Sequence, residues 1–254
     1  MKHRILAFAL ALAPILSVFG LSRVEADSSI ARGTAAYAAG DHVAALNLFD
    51  TVCAEYTSPS LLYNIGNCHF KLNDIPHAIL FYERALRLAP GDEDVKANLE
   101  LARQNVVDRV NELPSFTLGS TWGRLRGGRD ADQWARRSLW ESLLFFALLA
   151  VGVLAKQRTL RRAVFGASGL VLVATLISVA FASFRHGEVT DDSAAIILDP
   201  KVDVRSEPRE STTVLFVLHK GTKVIVLQTE NGWSEVQLAN GSVGWAPPTT
   251  LERI

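Results

Sequence analysis

The chain has 254 residues, of which 49% are hydrophobic and 20% are charged, and its 26 basic residues balance its 26 acidic ones. This length fits one or two domains, and two cysteines are too few for a disulfide-rich scaffold or a four-cysteine zinc site. Residues 27–112 contain 7 basic and 12 acidic side chains, and residues 191–254 contain 6 and 9. A nucleic-acid-binding protein carries its basic surplus on a folded domain, so the sequence predicts no nucleic-acid partner.

Residues 1–26 are predicted to be a secretory signal peptide. A short positive leader precedes an uncharged segment, residues 5–21, and small or apolar residues stand one and three places before a cleavage site after Ala26. An uncleaved anchor is the alternative, because this uncharged segment is long for a signal core. Pro14 and Gly20 favour cleavage, since they weaken a permanent helix. With either outcome, the residues that follow are exported.

Two later apolar segments predict a transmembrane hairpin, with helices at residues 138–155 and 163–184. The first contains one charged residue, Glu141, and the second contains none, so both can cross a hydrocarbon core about 30 Å thick. Residues 156–162 include four basic side chains, which predicts a cytoplasmic loop. The leader and the loop therefore place both ends of the chain on the exported side. Arginines that precede the first span, between residues 124 and 137, disagree with this orientation.

The segments that flank the hairpin, residues 113–137 and 185–193, are predicted to be linkers. The first segment is rich in arginine and tryptophan. It is therefore predicted, with equal weight, either to lie in the lipid interface or to be a plain linker. Within the second span, small residues recur at helical spacing and predict close packing against the first span. They are Ala174, Ser178 and Ala182.

Residues 27–92 contain two copies of one pattern. The second copy has Gly66, Ala78, Tyr82, Ala85 and Pro90, and the first copy repeats its first three spacings with Gly33, Ala45, Phe49 and Val52. We expect the glycine and the first alanine to let two antiparallel helices approach closely, with the aromatic ring filling the space between neighbouring pairs. Asp41 and Asp74 are placed as N-caps of second helices, and Pro76 falls in a first turn.

At these residues the chain resembles the tetratricopeptide repeat (TPR) family. The resemblance implies an α-helical solenoid over residues 27–112, with repeats at about 27–58 and 59–92 and a capping helix at 92–110. Members bind peptides or helices in the groove lined by the first helix of each pair. The residues that would line this groove, and are candidates for protein binding, are Tyr37, Tyr63, Asn67 and Phe70. Repeat core is the alternative for Tyr63 and Phe70, and Thr34 in place of asparagine disfavours a carboxylate clamp.

From residue 194 the hydrophobic period changes to two, which is typical of strands. The predicted strands are 194–198, 202–205, 214–218, 223–229, 233–238 and 243–246, and two Asn-Gly pairs between them favour tight hairpins. Six short strands in this length predict a closed or nearly closed barrel.

Across this segment the chain resembles the bacterial SH3 (SH3b) domain. The matching residues include Val202–Pro208, Leu218–Val224, Asn231–Trp233 and Gly241–Trp245. The resemblance implies an all-β SH3-like barrel over residues 194–254 and a module that binds cell-wall peptides or proteins. Trp245 is a candidate for ligand contact, and barrel core is the alternative for it and for Trp233.

No catalytic constellation is recognisable, so the chain is not expected to be an enzyme. The six histidines never take the i, i+4 spacing of a zinc-binding helix, and phosphate-loop and nucleophile-elbow motifs are missing from the sequence. We therefore expect no cofactor and no metal. Cys53 and Cys68 lie on adjacent predicted helices, where two free buried thiols are favoured over a disulfide.

The chain is thus predicted to be multidomain, with a TPR solenoid, a transmembrane α-hairpin and an SH3-like barrel in this order. This order of modules resembles that of the E proteins of the bacterial Bat (aerotolerance) group. The resemblance implies a non-enzymatic scaffold of the inner membrane with both folded domains in the periplasm. It also implies partners among membrane proteins with von Willebrand A domains and a MoxR-type ATPase. The alternative is an anchor that binds cell-wall peptidoglycan through the barrel and recruits an envelope enzyme through the repeats.

Overall fold

The computed structural model describes residues 21–108 and 127–254, so the start of the predicted leader and most of the first linker lie outside the described residues. The chain is multidomain, with a helical repeat region, two long apolar helices and an antiparallel sheet. The helices are α1 (Arg23–Ala38), α2 (His42–Cys53), α3 (Pro59–Lys71), α4 (Ile75–Leu88), α5 (Glu93–Arg103), α6 (Ala131–Leu154) and α7 (Arg158–Thr190). The strands are β1 (Ala194–Ile197), β2 (Lys201–Arg205), β3 (Val214–His219), β4 (Lys223–Glu230), β5 (Trp233–Gln237), β6 (Val243–Ala246) and β7 (Leu251–Arg253).

The helical region is a stack of two antiparallel pairs, α1 with α2 and α3 with α4, followed by α5. The turns inside the two pairs correspond, because Gly40 (φ 85°) and Asn73 (φ 60°) both adopt the left-handed conformation that glycine and asparagine tolerate. Asp41 then caps α2, as predicted, by accepting a hydrogen bond from the Ala44 N–H at 2.9 Å. Pro76 lies in the first turn of α4, also as predicted.

The last helix of the stack is shorter than predicted. Asp92 caps α5, but the helix ends at Arg103 instead of continuing to residue 110. The physical reason is an interaction with the sheet: after the helix ends, Asp108 accepts hydrogen bonds from His219 and Thr222. A helix continued through this segment would carry that carboxylate away from the sheet.

Helix α1 runs through the predicted signal-peptide cleavage site. Ser22 and Glu25 form a reciprocal capping box at its start, and Ala26 is 5% exposed in the core between the first helices. The Leu21 carbonyl also accepts a hydrogen bond from the Tyr56 hydroxyl at 2.7 Å. Cleavage after Ala26 would remove this cap and the first turn of α1, whereas an uncleaved chain keeps both.

Helices α6 and α7 form an antiparallel hairpin, and each is long and apolar enough to cross a membrane by length and composition. Both extend beyond the predicted spans. Helix α6 begins after its N-cap Asp130, and α7 begins at Arg158, so most of the basic segment predicted as a loop forms the first turn of α7. Its 33 residues correspond to about 50 Å, which exceeds the thickness of the hydrocarbon core.

The hairpin packs through polar and aromatic contacts as well as small residues. Ser178 is buried, as the small-residue pattern predicted, and donates a hydrogen bond to Glu141 Oε2 on the other helix at 2.7 Å. Arg137 Nε binds the second oxygen of Glu141 at 2.8 Å, so both oxygens of this carboxylate are paired within the hairpin. Trp134 is 3% exposed and contacts Phe181 edge to face, which places it inside the hairpin.

The seven strands form one antiparallel sheet in the order β3-β2-β6-β5-β4-β1-β7. Asn231 and Gly232 take positive φ values of 50° and 76° in the β4–β5 hairpin, as the Asn-Gly pair predicted. The strand β7 was not predicted; it pairs with β1 in the register Ile197 with Leu251. The core of the sheet is buried and apolar, and its residues include Val202, Val204, Leu218, Val224, Val236 and Ala246.

The helical region and the sheet share a hydrophobic cluster. Ile196 of β1 and Ile254 at the end of the chain pack with Ile79 and Leu80 of α4. The end of the hairpin also reaches the helical region: a Cβ added to Gly128, just before α6, would lie 2.5 Å from the Cα of Gly91, just after α4. The helical region therefore packs against both the sheet and the end of the hairpin.

Candidate functional site

The groove predicted for protein binding depends on how closely the two helices of each pair approach. A Cβ added to Gly66 would lie 2.6 Å from the ring of Tyr82, and one added to Gly33 would lie 2.7 Å from the ring of Phe49. Each aromatic ring therefore packs on the glycine of its own repeat. Phe49 also shares a core cluster with Leu61 and Ile65 of the next pair, which agrees with the expectation that the rings fill the space between neighbouring pairs. Ala78 and Ala45, the other small residues of the pattern, are fully buried.

A hydrogen-bond network crosses the groove between α3, α4 and α5. The Asn67 side-chain oxygen accepts from the Tyr82 hydroxyl at 2.7 Å and from Asn98 Nδ2 at 2.9 Å. The same Asn98 nitrogen donates to the Tyr63 hydroxyl at 3.0 Å. The side-chain oxygen of Asn67 is thus used inside the repeat, while the ring of Tyr63 remains half-buried.

The other two predicted groove residues, Tyr37 and Phe70, are also half-buried. Tyr37 on α1 lies within electrostatic range of Tyr63 on α3, and burial is the main cause of the raised pKa of its hydroxyl. Phe70 and Tyr63 both pack against the core shared by the helices and the sheet. The groove residues therefore make core contacts and also keep part of their surface exposed. The core contacts agree with the repeat-core prediction, and the exposed surface agrees with the protein-binding prediction.

An ionic interface that the sequence did not predict joins the helical region to the sheet. Glu83 on α4 has a side chain only 10% exposed; its Oε1 accepts from Arg103 at 2.6 Å and its Oε2 from Lys223 at 2.8 Å. Nearby, Arg84 Nη2 binds Glu252 of β7 at 2.9 Å. Glu83 thus bridges a cation of α5 and a cation of β4, two segments distant in sequence.

A second contact fixes the chain beyond α5 to the β3–β4 turn. Asp108 Oδ2 accepts from the His219 backbone N–H at 2.6 Å and from the Thr222 hydroxyl at 2.8 Å. Burial raises the pKa of Asp108, but these hydrogen bonds and one with the His219 ring outweigh it and lower the pKa below the usual range. Between this contact and Glu83 lies a cleft of about 480 Å³, lined among others by Ile79, Glu100, Asp108, Lys223 and Gln237.

The two tryptophans of the sheet have different environments. Trp245, the candidate for ligand contact, is 9% exposed, so little of its ring is available to a ligand. Trp233 is half-buried and lines a surface cavity of about 430 Å³. The polar residues of that cavity are Lys201, Asp203, Arg205, Glu210 and Thr250.

Both cysteines are free thiols. Cys68 is fully buried between the first two helix pairs, and burial raises its pKa to about 11. Burial also raises the pKa of the half-buried Cys53 thiol. Both thiols stay protonated near neutral pH and are therefore poor nucleophiles.

Within the described residues, one group of side chains has the spacing of metal ligands. It lies at the turn between α3 and α4, where one ligand atom from each of His69, Asp74 and His77 falls within 4.8 Å of the others. The sequence did not predict it, because the two histidines lie on different helices.

Comparison with known families agrees with this architecture. Residues 200–252 match the family model of the Bacterial SH3 domain, and residues 59–92 match that of the Tetratricopeptide repeat. The chain contains a TPR repeat and an SH3b domain. No curated protein matches the chain. The TPR match covers α3 and α4, while α1 and α2 repeat the same contact between glycine and an aromatic ring.

Proposed function

We propose that this protein is a non-enzymatic scaffold of the bacterial cell envelope, anchored in the inner membrane by α6 and α7. Its TPR module and SH3b module would bind protein partners on the periplasmic side. The observation that carries the proposal is the packing of the two modules on each other and of the helical region on the end of the hairpin. Two binding modules held in a fixed arrangement at the membrane can keep two partners close together.

The proposed orientation rests on the hairpin. Because α6 and α7 are antiparallel, the two modules attach at the same end of the pair, whichever way it inserts. The opposite end carries Lys156, Arg158, Arg161 and Arg162. Such a basic cluster favours the cytoplasmic side, which leaves both modules in the periplasm.

The order of modules supports a role like that of the Bat E proteins. In such a role, the partners would be membrane proteins with von Willebrand A domains, and a MoxR-type ATPase would act beside them. The net negative charge of both modules favours neutral or basic protein segments over anionic ligands.

The groove is tested by Tyr63→Ala and Phe70→Ala in the full chain. Both rings are half-buried, so we expect each variant to lose about 1–2 kcal/mol of stability and to remain folded, since a fully buried aromatic costs about 3–5. Capture of partners by crosslinking in intact membranes should fall about 10-fold or more, because aromatic anchors carry much of the binding energy.

The control is Val43→Ala, which truncates an exposed side chain on α2, outside the first-helix groove. It should keep both the fold and the crosslinked partners. If both aromatic variants unfold, their rings are core and the groove assignment is wrong. If they fold and capture partners normally, recognition lies on another surface.

A specific feature favours the second candidate function, a cell-wall anchor. The cavity beside Trp233 combines an aromatic wall with cationic and anionic side chains, a suitable composition for a short peptide that carries both charges. Sedimentation of the full chain in detergent with purified cell wall separates the two functions. The scaffold proposal expects the protein in the supernatant, and co-sedimentation that Trp233→Ala abolishes would favour the anchor.

A further inference from the structure

We propose that the turn between α3 and α4 binds a divalent transition-metal ion of the zinc type through His69, Asp74 and His77. This proposal does not depend on the features that support the scaffold proposal. It would tie the end of one helix of the second repeat to the start of the next.

The distances between the ligand atoms fit a tetrahedral ion. Asp74 Oδ2 lies 3.1 Å from His69 Nδ1 and 2.8 Å from His77 Nδ1. Ligands held about 2.0 Å from a tetrahedral zinc ion are about 3.3 Å apart. One ligand atom from each of the three residues lies within 4.8 Å of the others, so the three side chains are close enough to share one ion.

The Asp74 side chain does not cap α4, although its position predicts this role. It occupies the N-cap of α4, yet its side chain makes no capping hydrogen bond, whereas Asp41 caps α2 at the equivalent position of the first repeat. Its carboxylate is instead directed at the imidazoles of His69 and His77.

The Nδ1 atom of one of those imidazoles makes no aligned hydrogen bond with the protein. The Nδ1 atom of His77 is buried and has no hydrogen-bond partner, although the Asp74 carboxylate is close by. An oxygen at this distance without a hydrogen bond lies off the direction of the ring nitrogen. Buried polar atoms in folded proteins are nearly always paired, and a bound cation would accept the lone pair of this nitrogen.

The rings are held in place by packing. The His69 ring stacks on the His77 ring, with centroids 5.0 Å apart, and on the Phe81 ring at 5.4 Å. Ligands fixed in this way lose little rotamer freedom when an ion binds. Two further carboxylates lie within electrostatic range, Asp50 near His69 and Glu252 near His77; Arg84 pairs with Glu252 and partly offsets its charge.

The ligand chemistry selects the class of ion. Two imidazole nitrogens and one carboxylate oxygen suit zinc and its neighbours Co²⁺, Ni²⁺ and Cu²⁺, whereas Mg²⁺ and Ca²⁺ prefer oxygen ligands alone. Three protein ligands leave one coordination position of a tetrahedral ion open for water or for a side chain of a partner.

The test uses the full chain without an affinity tag, purified in detergent and stripped with EDTA. Titration with ZnCl₂ by calorimetry should show about one ion per chain, and X-ray absorption of the zinc-loaded protein should show two imidazole ligands. His69→Gln and His77→Gln should each weaken binding about 100-fold or more, because loss of even an outer-shell partner costs 10- to about 100-fold. Asp74→Asn should weaken it similarly while keeping the shape of the turn.

His42→Gln is the matched control. His42 also lies in the first turn of a second helix and also has a buried, unpartnered Nδ1, but it belongs to no group of metal ligands among the described residues. It should bind zinc like the unmodified chain. Unchanged binding in the His69→Gln, His77→Gln double variant, or no binding by the unmodified chain at micromolar zinc, would overturn the proposal. Circular dichroism of each variant without metal shows that lost binding does not reflect unfolding.

Discussion

Gly66→Leu is expected to destabilise the second helix pair strongly. Leucine is a better helix former than glycine, so any destabilisation must come from packing. The new Cβ would lie 2.6 Å from the Tyr82 ring, which is fully buried and held by its hydrogen bond to Asn67. Overpacking costs about 1–3 kcal/mol when neighbours can shift, and we expect at least the upper value here.

The buried thiol of Cys68 reports this change in the full chain. Cys68 is fully buried on the same helix as Gly66, so alkylation under native conditions requires opening of the repeat. A loss of about 3 kcal/mol raises the open population, and with it the alkylation rate, about 100-fold. Ala78→Leu should act in the same direction, and Ala97→Leu on the exposed face of α5 should have no effect. An unchanged rate in Gly66→Leu would contradict the packing described for the pair.

Glu83→Lys is expected to separate the helical region from the sheet. The substitution replaces the shared anion between Arg103 and Lys223 with a third cation. Two charge-assisted hydrogen bonds are lost in a site where the Glu83 side chain is only 10% exposed. We expect a cost of about 2 kcal/mol or more, moderated because both partner cations are partly solvated.

Hydrogen exchange measured by mass spectrometry checks this result. Amides of β1, which packs against α4 through Ile196, should exchange faster in Glu83→Lys, while those that pair Ser234 of β5 with Ala246 of β6 keep their protection. Glu83→Gln should give a smaller increase. Glu100→Lys reverses an exposed charge that lines the same cleft and should leave β1 protected. Equal protection of β1 in Glu83→Lys would show that the ionic bridge does not hold the modules together.

Local pattern was sufficient to predict the elements of both modules. Each of the six predicted strands begins and ends within one residue of an observed strand, because alternation of buried and exposed residues and the turn glycines are local signals. The repeat pattern likewise predicted which small and aromatic residues would be buried. Strand β7 was missed because it has three residues, two of them charged, and depends on pairing with β1.

Contacts between modules carry no local signal in a single sequence. Glu83 and Lys223 are each ordinary surface residues by type, and only the fold brings them to 2.8 Å. The same holds for His69 and His77, which a search for histidines along one helix cannot pair. Asp108 explains the early end of α5, since its partners belong to the β3–β4 turn. The family pattern alone was enough to propose the groove residues. The interface between the modules could be identified only from the tertiary structure.

The packing of the modules has a consequence for the proposed scaffold. Arg84 links α4 to the last strand through Glu252, and it follows Glu83, which links α4 to β4. Within the second repeat, α4 therefore contacts the sheet, while the helix paired with it, α3, carries groove residues. A partner bound in the groove and a partner bound beside Trp233 would then be held at a fixed separation.

The location of the modules tests the account most directly, because an envelope scaffold requires both on the exported side. Reporters fused after Ile254 and inserted into the connection Ala155–Gln157 measure it in living cells. We predict that the fusion after Ile254 is active only with a reporter that requires export, and that the insertion is active only with a cytoplasmic reporter. Exported activity at the connection between α6 and α7 would contradict the account.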